Sequence, residues 1–519
     1  MKKNIMLKAM PLVLAVMLGA TGCGAKYDAA QSADTGFIQK TINGKISSIF
    51  DTDCGIAADN GGAMFYDAGI MMNTEEYSEW TEAGFLNAAD TPLSTFSADV
   101  DTASYSNIRR YITDEYPIPK DAVRIEEMIN YFKYDYPDPN EGEPFSVTTE
   151  LTDCPWNTEH KLMMIGMQAK HIDLSERKPM NLVFLIDVSG SMYSADKLPL
   201  VQKSFGMLTD ELTEQDTVSI VTYAGADSVV LEGVSGNETV RIREAVEGLE
   251  AGGSTAGAAG IKTAYEIAQK YKIQGGNNRV ILATDGDLNV GISSEEGLKA
   301  LIEKEREKGI FLSVLGFGTG NIKDNKMETL ADNGNGNYAY IDSENEARRV
   351  LVEEMGGTLE TVAKDVKFQV EFNPDYISEY RLIGYENRML NAEDFDDDTK
   401  DAGEIGAGHT VTALYEIAAQ DAPAAENVCT VSVRYKAPNG NKSQLLNYPV
   451  SAAIYTPESS ADMRFASAVA AFGLVLRDSE FKGDASRSLV NDLLSDETIL
   501  NDPYKAEFAE LVNQAKFDN

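Results

Sequence analysis

The stretch Asn181 to Met192, NLVFLIDVSGSM, constrains the chain more than any other. An unbroken apolar run, Leu182 to Ile186, leads straight into Asp187, with Ser189 and Ser191 at alternate positions behind it. A short apolar run without alternation reads as a parallel strand buried on both faces. The turn after such a strand lies at the carboxyl edge of an open α/β sheet, where ligands bind. One carboxylate and two hydroxyls converging there suit a hard divalent cation. Mg²⁺ takes oxygen ligands at about 2.0–2.1 Å, keeps several waters and rarely has an all-protein cage. The other role open to these side chains is capping of the next helix.

Two distant segments bear on that choice. Ala251-Gly-Gly-Ser-Thr255-Ala-Gly257 offers a loop threonine, and the Gly252-Gly253 pair lets the loop approach closely. Thr284-Asp285-Gly286-Asp287 follows a second apolar strand, Val280 to Ala283. Helix capping by Asp187 and the serines would not call for either loop. The three parts in this order resemble the metal-ion-dependent adhesion site of a von Willebrand factor type A (VWA) domain. The resemblance implies that Asp187, Ser189, Ser191, Thr255 and Asp285 surround one Mg²⁺ or Mn²⁺, with a partner's Asp or Glu carboxylate in the open position. It assigns the ion to Asp285 and leaves Asp287 as a loop or cap carboxylate.

The chain has 519 residues and a net charge of −38. The length predicts several domains. The acidic balance argues against nucleic acid, which requires Lys and Arg patches, and it repels anionic lipid, so contact with a membrane needs an anchor. Lys2 and Lys3 followed by the short apolar stretch Ala9 to Leu18 and Ala20-Thr-Gly-Cys23 resemble a bacterial lipoprotein signal. The resemblance implies cleavage before Cys23, lipidation of its thiol, and residence at the extracytoplasmic face of the bacterial membrane. Ala20 stands where that family usually has Leu. An ordinary secretory signal with a chance cysteine is the other reading. Cys54, Cys154 and Cys429 remain, so at least one is unpaired; buried thiols, or a Cys154–Cys429 bridge, are both open. With only 3 histidines and no C-x-x-C spacing, a zinc site is not expected.

The expected fold class is α/β: a VWA-type (Rossmann-like) doubly wound, mainly parallel sheet, inserted in or flanked by a β-sandwich module, with small helical segments. The expected domains are a signal peptide (1–22), a flexible tether (23–75), an N-terminal domain carrying strands of a β module (76–180), the VWA domain (181–357), a β-sandwich module (358–456) and a C-terminal helical region (457–519). The segments around Pro92 to Tyr105, Val123 to Phe132 and Pro155-Trp-Asn157 are similar to the region that precedes the VWA domain in a family of exported bacterial proteins, and Ala461 to Leu474 resembles that family's C-terminal region. Helices are predicted at Ser104 to Tyr111 and at Asp121 to Phe132, with Asp121 as N-cap. Asp99 and Asp101 read as turn or capping residues, with a cation site as the lesser reading. Strands near 145–151 and 161–170 are predicted to complete the sandwich from before the VWA insertion. The acidic cluster Glu393 to Asp398 reads as a solvated loop.

The expected function is capture of a protein partner by a lipid-anchored surface module through a metal-dependent adhesion site. A structural or envelope-assembly scaffold with a non-essential metal site is the alternative. No G-x-S-x-G or H-E-x-x-H motif is present, and an enzyme is not expected.

Overall fold

The computed structural model describes residues 74–98, 101–172, 177–253, 257–286, 295–354, 360–400, 402–420, 427–438 and 440–516. Cys23, Asp99, Thr255 and Asp287 lie outside them. The chain begins with short strands β1 (Leu86–Asn87) and β2 (Leu93–Ser97), helices α1 (Ala103–Thr113) and α2 (Ile125–Asn130), and long strands β3 (Phe145–Asp153) and β4 (Lys161–Ala169). The α/β part follows: β5 (Met180–Asp187), α3 (Leu198–Asp210), β6 (Thr217–Tyr223), β7 (Asp227–Ser235), α4 (Thr239–Glu247), α5 (Gly257–Lys270), β8 (Asn277–Thr284), α6 (Glu295–Glu307), β9 (Phe311–Phe317), α7 (Asp324–Asn333), β10 (Tyr338–Ile341) and α8 (Glu344–Arg348). Then come β11 (Thr361–Phe372), β12 (Ile377–Leu382), β13 (Met389–Leu390), β14 (Gly403–Gly406), β15 (Thr410–Ala419), β16 (Asn427–Lys436) and β17 (Ser443–Ser451), and last α9 (Ala461–Leu476), α10 (Arg487–Leu493) and α11 (Pro503–Gln514).

The α/β sheet has the order β10-β9-β8-β5-β6-β7, parallel except for the edge strand β7. Every residue of β5 is buried. Leu182, Phe184 and Ile186 pack on one face with Val201 and Phe205 of α3 and Ile242 of α4. Val183 and Leu185 pack on the other with Ile261 and Ala264 of α5. The fully apolar run is thus the period-2 pattern applied to a strand with helices on both sides. The VWA fold and the doubly wound sheet expected from the sequence are present.

β3 and β4 join β1, β12 and β15 in one antiparallel sheet, and β2, β11, β13, β16 and β17 form the other, with β14 beside β11. Phe145, Met163 and Ile165 face Phe368, Val370 and Val431 across the resulting core. Strands laid down before the α/β part therefore pair with strands made after it. The helices close a separate core in the same way: α1 and α2 pack with α9, α10 and α11 around Tyr105, Phe132, Phe465 and Phe508. The approach of α9 to α2 is close enough that a Cβ on Gly473 would sit 2.7 Å from Ile125.

The structure tests several local expectations. α2 starts at Ile125 behind a separate turn, Lys120–Ala122, so Asp121 does not cap it. Asp101 accepts the Tyr338 N–H (2.9 Å) and pairs with Arg388 (3.0 Å), tying the head of β10 to the sandwich. In the acidic cluster Glu393, Asp396, Asp397 and Asp398 are exposed as expected, but the backbone is anchored: Asn391 caps a turn at Ala392–Phe395, Phe395 is buried, and Lys367 donates to the carbonyls of Asp394 and Asp397. Cys154 and Cys429 are both free and buried, in the helical and the sandwich core respectively.

Buried ion pairs join the α/β part to the helices. Arg109 of α1 reaches Asp342 (2.6 Å) and Glu346 (2.8 Å). Glu346 also takes Arg349 (2.8 Å) and the Tyr131 hydroxyl (2.7 Å). Arg124 pairs with Glu127 and Asp324. Further out, Thr74 and Glu76 donate backbone N–H groups to the carbonyls of Gly320 and Ile322 (both 2.9 Å), while Glu75 accepts from Arg110, Tyr111 and the Gly320 N–H. Burial alone would raise the Glu75 pKa, but these donors outweigh it and hold the carboxyl at about 2.

Truncating one partner of a buried ion network leaves an uncompensated charge. Arg109→Ala is expected to cost about 3–5 kcal/mol, read as a lower denaturation midpoint. A carboxyl held below its unfolded value stabilises the fold above that value and loses the contribution as pH falls toward the folded one. Wild type should therefore lose more stability than Glu75→Gln between about pH 4.5 and pH 2, measured by urea unfolding across that window.

Candidate metal centre

The register of β5 and β8 builds the centre. Ile186 lies opposite Ala283, so Asp187 comes beside Thr284, and Asp285 follows one residue beyond the strand end. On the other side Asp187 is level with Tyr223 of β6. The sheet order reverses direction between β5 and β8, so the two aspartates stand at the topological switch point of the sheet.

Asp187 is fully buried, and its Oδ1 accepts the Ser189 N–H at 2.8 Å, which folds the turn back on the carboxylate. The Thr284 hydroxyl lies 3.4 Å from the other oxygen. Burial pushes the Asp187 carboxyl up to about 6; the Ser189 N–H opposes the rise and the Asp285 charge adds to it. Ser189 stands at the head of a 3₁₀ turn, Gly190–Tyr193, but its side chain makes no capping bond. Its hydroxyl lies instead 3.0 Å from the Ser191 hydroxyl. The helix that follows, α3, is headed by Lys197 and takes no side-chain cap from either serine. Ser191 is exposed, and so is Tyr193 beside it, at 83%.

The loop leading to Thr255 is docked on this turn. Gly252 donates to the Val188 carbonyl at 2.7 Å, and Gly190 donates to the Gly253 carbonyl at 3.1 Å. Gly253 has φ +83°, a conformation that glycine adopts without strain. Thr255 itself is outside the described residues.

Asp285 is buried and pairs with Lys197 at 2.9 Å, a contact that sequence reasoning missed. The residue after it, Gly286, has φ +98°, and a Cβ there would come within 2.7 Å of the Asn321 carbonyl and the Lys323 nitrogen. The β9–α7 loop therefore sets the position of Asp285, and the strap at Thr74–Glu76 in turn holds that loop.

The donors brought together are all oxygens: two carboxylates at one sheet edge and two adjacent hydroxyls that the local backbone leaves free of capping. Such a set fits a hard divalent cation. That a cationic ammonium already rests on Asp285 shows that the edge stabilises positive charge. Among the described residues no cluster of three or more His, Cys, Asp and Glu side chains forms an alternative cage.

A family model for the von Willebrand factor type A domain matches residues 181–354, one described as von Willebrand factor matches 71–164, and one for the C-terminal region of uncharacterized protein YfbK matches 357–517. Uncharacterized protein YfbK of Escherichia coli (strain K12) is 42% identical over 469 residues, covering 85% of this chain and 81% of that one. The chain belongs to the YfbK family. Beyond that family the likeness narrows to shorter stretches. Uncharacterized protein sll0103 of Synechocystis is 30% identical over 190 residues, covering 37% of this chain and 44% of that protein. Human inter-alpha-trypsin inhibitor heavy chain H3 is 28% identical over 176 residues, covering 32% and 20%. Among solved structures, a von Willebrand factor type A protein from Catenulispora acidiphila aligns over 74% of this chain and 91% of its own at 16% identity, with a TM-score of 0.42.

Gly286→Ala forces either a strained φ or a shift of the β9–α7 loop. The substitution is expected to cost about 1–3 kcal/mol of stability, read by thermal or denaturant unfolding; an unchanged midpoint would show that the loop does not brace Asp285.

Proposed function

We propose that the protein is a metal-dependent protein-binding module. The VWA domain points to an interaction role, and the finer reading rests on one observation: the Ser189 and Ser191 hydroxyls lie together beside buried Asp187 and cap no helix. In this reading Asp187, Ser189, Ser191, Thr255 and Asp285 hold one Mg²⁺ or Mn²⁺. When bound, the ion supplies an electrophilic position for an Asp or Glu carboxylate of the partner. The chain's own residues do the rest. The Ser189 N–H orients the Asp187 carboxylate, the Gly252–Gly253 backbone brings the threonine loop in, and exposed Tyr193 offers an aromatic contact at the rim. Capture without turnover is the proposed activity. We place the module at the extracytoplasmic face of the bacterial membrane, held by lipid on Cys23, which rests on the signal-like sequence ahead of that residue.

A second reading, an envelope scaffold whose metal site is dispensable, has one observation in its favour: the Lys197 ammonium already supplies a positive charge to Asp285. Partner capture that survives EDTA would select it.

The test is calorimetric titration of Mg²⁺ and Mn²⁺ into the chain lacking residues 1–23, beside Asp187→Ala. One ion should bind, and the variant should lose binding by about 100-fold or more, since a first-shell carboxylate matters at least as much as its outer-shell supports. Equal binding by wild type and Asp187→Ala would sink the assignment.

A further inference from the structure

Lys197 is placed too deliberately for a surface lysine. Its side chain is 9% exposed and its ammonium lies 2.9 Å from Asp285 Oδ2. The stem runs across Gly318, which has φ +77°; a Cβ there would come within 2.3 Å of the Lys197 Cγ and Cε. The Gly318 carbonyl is held by the buried Tyr340 hydroxyl at 2.9 Å. A backbone segment without a side chain, fixed from below, thus forms the groove that leads the lysine to the aspartate. A long flexible side chain gives up much rotamer freedom to lie there, so the pair must return something for it.

We propose that Lys197 is the built-in counter-ion of the metal site, which competes with a divalent cation for Asp285. The inference rests on the metal-site reading above. Charge bookkeeping gives its consequence. Asp187 and Asp285 with Lys197 carry one net negative charge when both carboxylates are ionised. A divalent ion turns that into one net positive charge in a poorly solvated site, and a partner's carboxylate restores neutrality. Without the lysine, the ion would be neutral on the two aspartates alone. Like-charge repulsion between ammonium and ion weakens ion binding in the free protein, and the incoming carboxylate relieves it. Lys197 thereby links retention of the ion to capture of an acidic partner.

The experiment titrates Mn²⁺ alone into the full-length chain and into Lys197→Met, by calorimetry, with thermal unfolding recorded with and without the ion. Lys197→Met should bind Mn²⁺ about tenfold tighter or more. It should also melt lower than wild type without Mn²⁺, because Asp285 loses its ammonium partner, and gain more from adding it. If Lys197→Met does not fold, Lys197→Gln, which keeps an N–H donor and drops the charge, carries the same expectation. Binding by wild type with no tightening in the neutral variants overturns the counter-ion role and leaves the metal site standing. Absence of binding in wild type and variants alike overturns both.

Discussion

The arrangement depends on guanidinium groups buried between the α/β part and the helices around it. Arg109 spans from α1 to Asp342 and Glu346, just beyond the end of β10, and Arg124 spans from the head of α2 to Asp324 at the head of α7. β10 is an edge strand, and an edge with unpaired backbone groups invites pairing with another chain. Here Asp101 takes the first N–H of β10, while the Arg110 guanidinium lies 5.3 Å from the Tyr340 ring. The ion pairs do more than hold two surfaces together: their fixed geometry allows one docking of α1 on the sheet. Replacing such pairs by apolar residues can be neutral in stability, so register is what they supply beyond it.

That docking reaches the candidate site through the β9–α7 loop. One end of the loop, at Gly318, carries Lys197; its middle, Asn321 to Lys323, abuts Gly286; its outer side receives the strap at Thr74–Glu76. The loop therefore reaches Asp285 in two ways, through Lys197 and through Gly286, and it is held by residues from the beginning of the described chain. A VWA sheet excised at 181–357 would keep Asp187 at the end of β5 and both serines in the turn after it, but would lose the strap and the helix α1 that Glu75 grips through Arg110.

The parts legible in the sequence are those whose signal is local. The strand ending at Asp187 announced itself because burial on both faces makes a continuous apolar run, and the alternate spacing of Ser189 and Ser191 survives without any tertiary knowledge. The mainly parallel sheet, covered on both faces, followed from alternation of strand and helix. β2 was harder, since Leu93-Ser-Thr-Phe-Ser97 carries polar residues that are nonetheless buried, and its pairing with β11 and β13 is what makes it a strand. The exposed carboxylates of the acidic cluster were legible, but its anchoring was not, because carbonyls engage Lys367 and carry no sequence signal. Lys197 gave no sign at all: a lysine before a helix is ordinary, and its partner is 88 residues away. Asp101 hid for the same reason, with Arg388 and Tyr338 far along the chain.

Charge sets the final constraint on how such a molecule can bind. With a net charge of −38, the chain repels an acidic partner at every distance that salt does not screen, and the Debye length at physiological ionic strength is about 8 Å. A carboxylate must therefore meet a locally reversed potential within that range. Some exposed lysines elsewhere are spent on neighbouring acids, as Lys203 is on Glu344 and Lys270 on Glu232. At the carboxyl edge of β5 and β8 the reversal is built from Lys197 and, on the proposed reading, a divalent ion, both placed where the partner's carboxylate would arrive. On the proposed reading the acidic remainder of the surface would work as discrimination, repelling acidic chains that approach elsewhere, so that the edge of β5 and β8 would determine both where contact forms and what chemical group makes it.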